Sequence, residues 1–154
     1  MKRLMLAILL LPGVVLAAAD SSPAMPEVPK DPVLEKAAAA TARQDWTGAQ
    51  SILQDGLSRS PSNPEYHNLY AYAVRKGANP DMNLVFKHYN EALRIDPKHR
   101  AAHEYVGEAY LMVGNLPKAK EHLSVLDKLC FFPCAEFSDL KKAIADYEGK
   151  VVKQ

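Results

Sequence analysis

The chain has 154 residues, of which 48% are hydrophobic and 24% charged, with 19 basic against 18 acidic side chains. That composition belongs to one small globular domain and excludes a disordered or collagen-like chain. A formal net charge of +1 argues against a broad grip on nucleic acid, which needs clustered Lys and Arg to displace counterions. Two cysteines are too few for a disulfide-rich scaffold or a four-cysteine zinc site.

Lys2 and Arg3 lead into an apolar run from Leu4 to Leu16, followed by Ala17-Ala18-Ala19 and Asp20. A positive start, a short apolar stretch and small residues before a polar one are the order of a secretory signal. A membrane-spanning helix needs about 20 apolar residues, more than this run supplies. Residues 1–19 are therefore expected to be a signal peptide cleaved after Ala19, with Ala17 as the other candidate, and the mature chain is expected in a bacterial periplasm or secreted. No stable membrane span remains after that cleavage. Residues 20–32 follow as a linker, with Pro23, Pro26, Pro29 and Pro32 spaced by three. Three residues is the repeat of polyproline II, so an extended spacer is expected here, and a ligand for a proline-recognising groove is the other reading.

From residue 33 to residue 148 the apolar pattern is helical and it recurs. Glu91-Ala92-Leu93-Arg94-Ile95-Asp96-Pro97 closes one segment at a proline, and Gly56-Leu57-Ser58-Arg59-Ser60-Pro61 closes an earlier one. A later unit reads His103, Val106-Gly107, Tyr110, Gly114, Ala119, Leu123. On these residues the chain resembles the tetratricopeptide repeat family, a helix-turn-helix repeat of about 34 residues. Counting Arg100 as position 1, that last unit fits the family pattern, with Leu126 in place of an alanine and the closing proline late, at Pro133. The middle unit starts at Pro64 and fits through Tyr70, Ala71, Val74, Tyr89, Ala92 and Pro97 if about two residues are inserted near Gly77-Ala78-Asn79-Pro80. The first unit matches at Ala49, Leu53, Gly56 and Pro61, and its first helix, around Val33 to Arg43, is mostly alanine.

The resemblance implies an all-α, helix-turn-helix solenoid of about three tetratricopeptide units, residues 33–63, 64–99 and 100–133, plus a C-terminal capping helix over 134–148 and a tail at 149–154. Phe137, Leu140, Ile144 and Tyr147 form the apolar stripe of that cap, which covers the open end of the stack. Asn79-Pro80 and Leu116-Pro117 are expected at helix starts, and Gly77 and Gly114 at helix ends.

No catalytic constellation or phosphate loop emerges, and a non-enzymatic protein without cofactor or metal is expected. Cys130 and Cys134, four apart around Pro133, read as a structural disulfide in an oxidising compartment. The functional alternative is a periplasmic thiol or copper-handling pair. His67 and His103 share a repeat position and are expected in packing, with His88 and His122 on second helices. Trp46 reads as filler at the first turn or as an anchor for a partner.

In the family, first helices line a concave groove through repeat positions 2, 5, 9, 12 and 13. Carried over, the resemblance implies a partner-binding groove of Asn68, Tyr72, Arg75, Lys76, Glu104, Glu108, Leu111 and Met112. The Lys and Asn pattern with which some members clamp a peptide's terminal carboxylate is not rebuilt by Asn68 and Arg75. The expected function is an adaptor or assembly factor for a protein or peptide segment, with homodimerisation as a further possibility.

Overall fold

The computed structural model describes residues 31–132 and 134–151; the expected signal peptide, the expected linker up to residue 30, Pro133 and residues 152–154 lie outside the described residues. The described residues form seven helices: α1 (Pro32–Ala42), α2 (Trp46–Arg59), α3 (Pro64–Lys76), α4 (Met82–Ile95), α5 (Arg100–Met112), α6 (Leu116–Leu129) and α7 (Ala135–Val151). The helix-turn-helix solenoid expected from the repeats is the architecture observed, with no strand among the described residues.

Side chains start six of the helices. Asp31, Asp45, Asn63, Asp81, His99 and Asn115 each accept hydrogen bonds from backbone N–H groups of the first turn, satisfying donors that have no partner inside the helix. Asp31 and Pro32, assigned above to the linker, are the cap and first residue of α1. Tyr66 ties this cap to α3 by donating its hydroxyl to Asp31 Oδ2 at 2.7 Å.

Asn79-Pro80 does not start a helix. The cap of α4 is Asp81, so the α3–α4 connection runs over residues 77–81, two longer than the connection over 113–115. Those are the two inserted residues that the repeat alignment requires. Gly114 closes α5 at φ 76°, with Gly114 N–H donating to Leu111 O and Asn115 N–H to Tyr110 O. This is the left-handed Schellman ending that favours glycine. Gly77 also ends its helix, but in an extended conformation at φ −65°, ψ 166°.

Successive first helices touch one another, α1 with α3, α3 with α5 and α5 with α7, whereas the second helices α2, α4 and α6 make no such approach. The inner layer is therefore α1, α3, α5 and α7. The cap helix takes the place of a fourth first helix. Small residues allow the close approach: Ala49, Ala71, Ala92, Ala102 and Ala119 are fully buried. The core is a chain of clusters rather than one centre. Tyr70 bridges the cluster of Ala37, Leu53 and Tyr66 to that of Val85, Tyr89 and Val106, and Tyr110 bridges the latter to Leu126 and Leu140. The Phe137, Leu140, Ile144, Tyr147 stripe of α7 seals the last, against Leu111, Ala119 and Leu126.

Candidate functional site

Repeat position decides how each expected groove residue is placed. Position 5 carries Asn68 and Glu104, and both are buried, Asn68 completely and Glu104 at 8% exposure. Position 12 carries Arg75 and Leu111, also buried. Position 9, Tyr72 and Glu108, is half-buried, and position 13, Lys76 and Met112, is exposed. The carried-over pattern treats all these positions as groove-facing. Here the first helices pack edge to edge and bury most of positions 5 and 12, completely at Asn68, while Glu104, Arg75 and Leu111 still border clefts.

Asn68 is consequently not an accessible groove contact: neither its Oδ1 nor its Nδ2 has a hydrogen-bond partner, and it lines none of the clefts described below. Leu111 belongs to the core against α7 while also forming the floor of a cleft. Arg75 is committed. Its guanidinium lies 2.8 Å from Glu108, donates to the Tyr89 hydroxyl at 3.3 Å, and sits 5.5 Å from the Tyr72 ring centre and 5.7 Å from that of Tyr105. Buried charges survive when paired in this way. Burial works against the Arg75 charge, but Tyr89 and Glu108 more than offset it.

Three clefts run along the inner layer. The first, about 490 Å³, is lined by Thr41, Ala42, Gln44, Trp46, Tyr72 and Lys76. Trp46 is the first residue of α2, half-buried and edge-on to Tyr72 with ring centres 6.0 Å apart, and Tyr72 packs on Tyr105 at 4.9 Å. The second, about 360 Å³, brings Arg75, Glu108, Leu111 and Met112 of α3 and α5 against Ala143, Asp146, Tyr147 and Lys150 of α7. The third, about 370 Å³, joins Glu104 and Glu108 to Asp139, Lys142, Ala143 and Asp146.

The contribution of α7 does not follow from its apolar stripe, which by itself implies only a cap. The signal was available in Asp139, Ala143 and Asp146, a second stripe at spacings of four and three beside the apolar one.

Glu104 has the most unusual environment. Burial, then the nearby carboxylates Glu108, Asp139 and Glu136, push its acid constant up to about 7. Among the described residues it makes no hydrogen bond or ion pair, and neither does Asp139. Each neighbouring cation is engaged elsewhere: Arg75 with Glu108, Arg100 with Glu136, Lys142 with Asp146.

The histidines form two equivalent pairs between the first and second helix of a repeat. His67 Nδ1 lies 2.9 Å from His88 Nδ1, and His103 Nδ1 lies 2.9 Å from His122 Nδ1. The Nε2 atoms of His67 and His103 face the carbonyls of Pro61 and Pro97 at 2.9 and 3.0 Å. A carbonyl only accepts, so those Nε2 atoms carry the proton and the Nδ1 bond is donated by the second-helix histidine. Burial, then the partner imidazole, lowers both His88 and His122 to about 4. No group of three or more His, Cys, Asp or Glu converges to hold a metal ion among the described residues. Cys130 and Cys134 are joined through their sulfurs, with Cα atoms 5.8 Å apart, a separation that a disulfide spans.

The comparisons agree with this architecture. No family model matches the chain. It is 29% identical over 98 residues to the TPR repeat-containing thioredoxin TTL4 of Arabidopsis thaliana; the match takes 64% of this chain and spans 13% of that relative's length. The TPR2B domain of yeast Sti1, in its complex with pHsp70, superposes with TM-score 0.68 at 15% identity, covering 77% of this chain and 94% of that domain. The type III secretion chaperone SycD of Yersinia enterocolitica, in complex with a peptide of the translocator YopD, gives TM-score 0.64 at 16% identity, covering 79% of this chain and 92% of that one. The fold is the helical-repeat fold seen in tetratricopeptide-repeat domains.

Proposed function

We propose that this protein is an exported adaptor that holds an extended segment of another protein along the inner layer of its helices. The observation that carries the reading is the row of three clefts from Trp46 and Tyr72 to Tyr147 and Asp139. Aromatic side chains supply rigid contact area, and the charges between them orient a bound chain. The yeast and Yersinia structures are complexes of the same fold with pHsp70 and with a YopD peptide, which supports such a use of the groove. Export is inferred from the basic start, apolar run and Ala17-Ala18-Ala19. In that compartment the Cys130–Cys134 bond is a staple between α6 and α7. No helix among the described residues is long and apolar enough to cross a membrane.

Affinity capture from a periplasmic extract tests the reading, with residues 20–154 compared with a Tyr72→Ala, Met112→Ala variant. Tyr72 is half-buried and Met112 exposed, so circular dichroism should show the helices retained. A protein held by the parent and lost by the variant is the expected result. Captured proteins that ignore the substitutions overturn the groove. Leu111 is unsuitable as a probe, because truncating it opens the core against α7.

A further inference from the structure

We propose that the cleft between α5 and α7 is a receptor for an arginine or lysine side chain of the bound segment, with Glu104 as its counter-ion. This rests on the groove reading above and specifies which residue type the segment must carry. Glu104 is more than nine-tenths buried, lines the cleft and has no hydrogen bond or ion pair among the described residues. Most of the side chain is buried while the unpartnered carboxylate reaches the cleft, and a poorly solvated, unpaired carboxylate is costly unless a ligand relieves it.

Of the groups facing Glu104, Arg75 alone favours its ionised form, and it does not offset the rest. On its own helix α5 Glu104 faces Glu108, from α7 Glu136 and Asp139, and from α3 Arg75. Arg75 is held by Glu108 and Tyr89, and Arg100 and Lys142 are paired with Glu136 and Asp146. The cleft's own cation, Lys142, is largely exposed and paired with Asp146, so what is missing is a positive charge with several N–H donors on Glu104 itself.

The spacing selects an organic cation over a metal. No three potential ligands converge closely enough for a metal ion among the described residues. A guanidinium spreads five donors over a rigid plane, and an ammonium carries three, so either can bridge carboxylates that stand apart. The cleft volume of about 370 Å³ admits the head group and part of its methylene stem, which Ala143 can meet as such stems meet apolar surface elsewhere. The adjoining cleft shares Glu108, Ala143 and Asp146 and is lined by Leu111, Met112 and Tyr147. A segment with a basic residue beside a large apolar one fits both. That is the opposite charge preference from the terminal-carboxylate clamp considered above.

A cation bound at Glu104 favours its ionised form, so binding releases a proton and tightens as pH rises through neutrality. The test is a nuclear magnetic resonance titration of residues 20–154 with acetyl-Leu-Arg-Leu-amide, beside the same peptide with citrulline, a neutral isostere, in place of arginine. The Arg peptide is expected to shift the Glu104 and Asp139 carboxyl signals and to bind more tightly at about pH 8 than at about pH 6. The Glu104→Gln variant should bind it at least about tenfold more weakly, losing a charge-assisted hydrogen bond, and should flatten the pH dependence. If the citrulline peptide binds equally and shifts the same groove, the charge receptor is overturned while the groove stands. If neither peptide perturbs Glu104 or Asp139, the receptor is also overturned, and the capture experiment then decides the groove by itself. Displacement of the Arg peptide by calcium chloride, with the same carboxyl shifts, would overturn it in favour of a metal site.

Discussion

At Gln44 the chain adopts φ 58° without being glycine. Its backbone makes the same ending as Gly114: Gln44 N–H donates to Thr41 O and Asp45 N–H to Ala40 O. A side chain in the left-handed region crowds its own backbone by about 1–2 kcal/mol. Gln44→Gly should therefore raise stability by roughly 0.5–1 kcal/mol after the entropy of the freed chain is counted, read as a higher melting temperature. Glu104 makes a prediction whose sign depends on pH. Its folded-state constant is raised to about 7 from an ordinary 4.5, so the folded protein holds a proton that the unfolded chain has given up. The stability this contributes is present below about 4.5 and is lost as pH rises through about 7. Glu104→Gln should thus melt higher than the parent at about pH 8 and converge with it near about pH 4.5. A difference independent of pH would contradict the burial of an ionisable group there.

At the scale of elements, the docking of α7 on α5 leaves little room for change at Gly107. A Cβ built on Gly107 would lie 2.7 and 2.8 Å from the two methyl carbons of Leu140, and Leu140 is fully buried. The β-branched side chain of a Gly107→Val variant must push α7 off α5. A loss of about 1–3 kcal/mol is expected, the usual range for overpacking, with hydrogen exchange speeding up first in α7. The Cys130–Cys134 bond closes a loop of five residues, for which the chain-entropy estimate gives about 2 kcal/mol. Cys130→Ser should lower unfolding free energy by that order while helicity is retained, measured by denaturant titration. Phe131 and Phe132 within this loop are 93% and 77% exposed, so their replacement by Ser should change stability by less than about 0.5 kcal/mol.

Across the whole molecule, the two histidine pairs couple the inner and outer layers of successive repeats. His88 and His122 are lowered to about 4 in the fold, against about 6.5 in an unfolded chain. Their stabilising contribution is complete above about 6.5 and is lost as pH falls toward about 4. His103, lowered by burial, acts in the same direction, while Glu104 and the Glu65-paired His99 act against it; with three groups against two, acidification over that window should lower the melting temperature. A His88→Asn, His122→Asn variant should show a flatter dependence. Much of the scaffold was legible in the chain. The repeat period, the proline and glycine punctuation and the alanines at the helix contacts follow from local chemistry, because each repeat buries the same positions against its neighbours. The two-residue insertion before Asp81 was visible as a break in that period. The candidate site was legible only in part. Tyr72, Lys76, Glu108 and Met112 stand at positions that remain open, whereas Asn68 is buried away from the clefts and nothing local in the sequence separates a filler from an anchor role for Trp46. Sequence determined the solenoid, since helix periodicity and capping act within a few residues. Only the tertiary structure decided that α7 joins the inner layer, buries Glu104 without a partner and faces it with Asp139, because burial depends on which helices meet edge to edge.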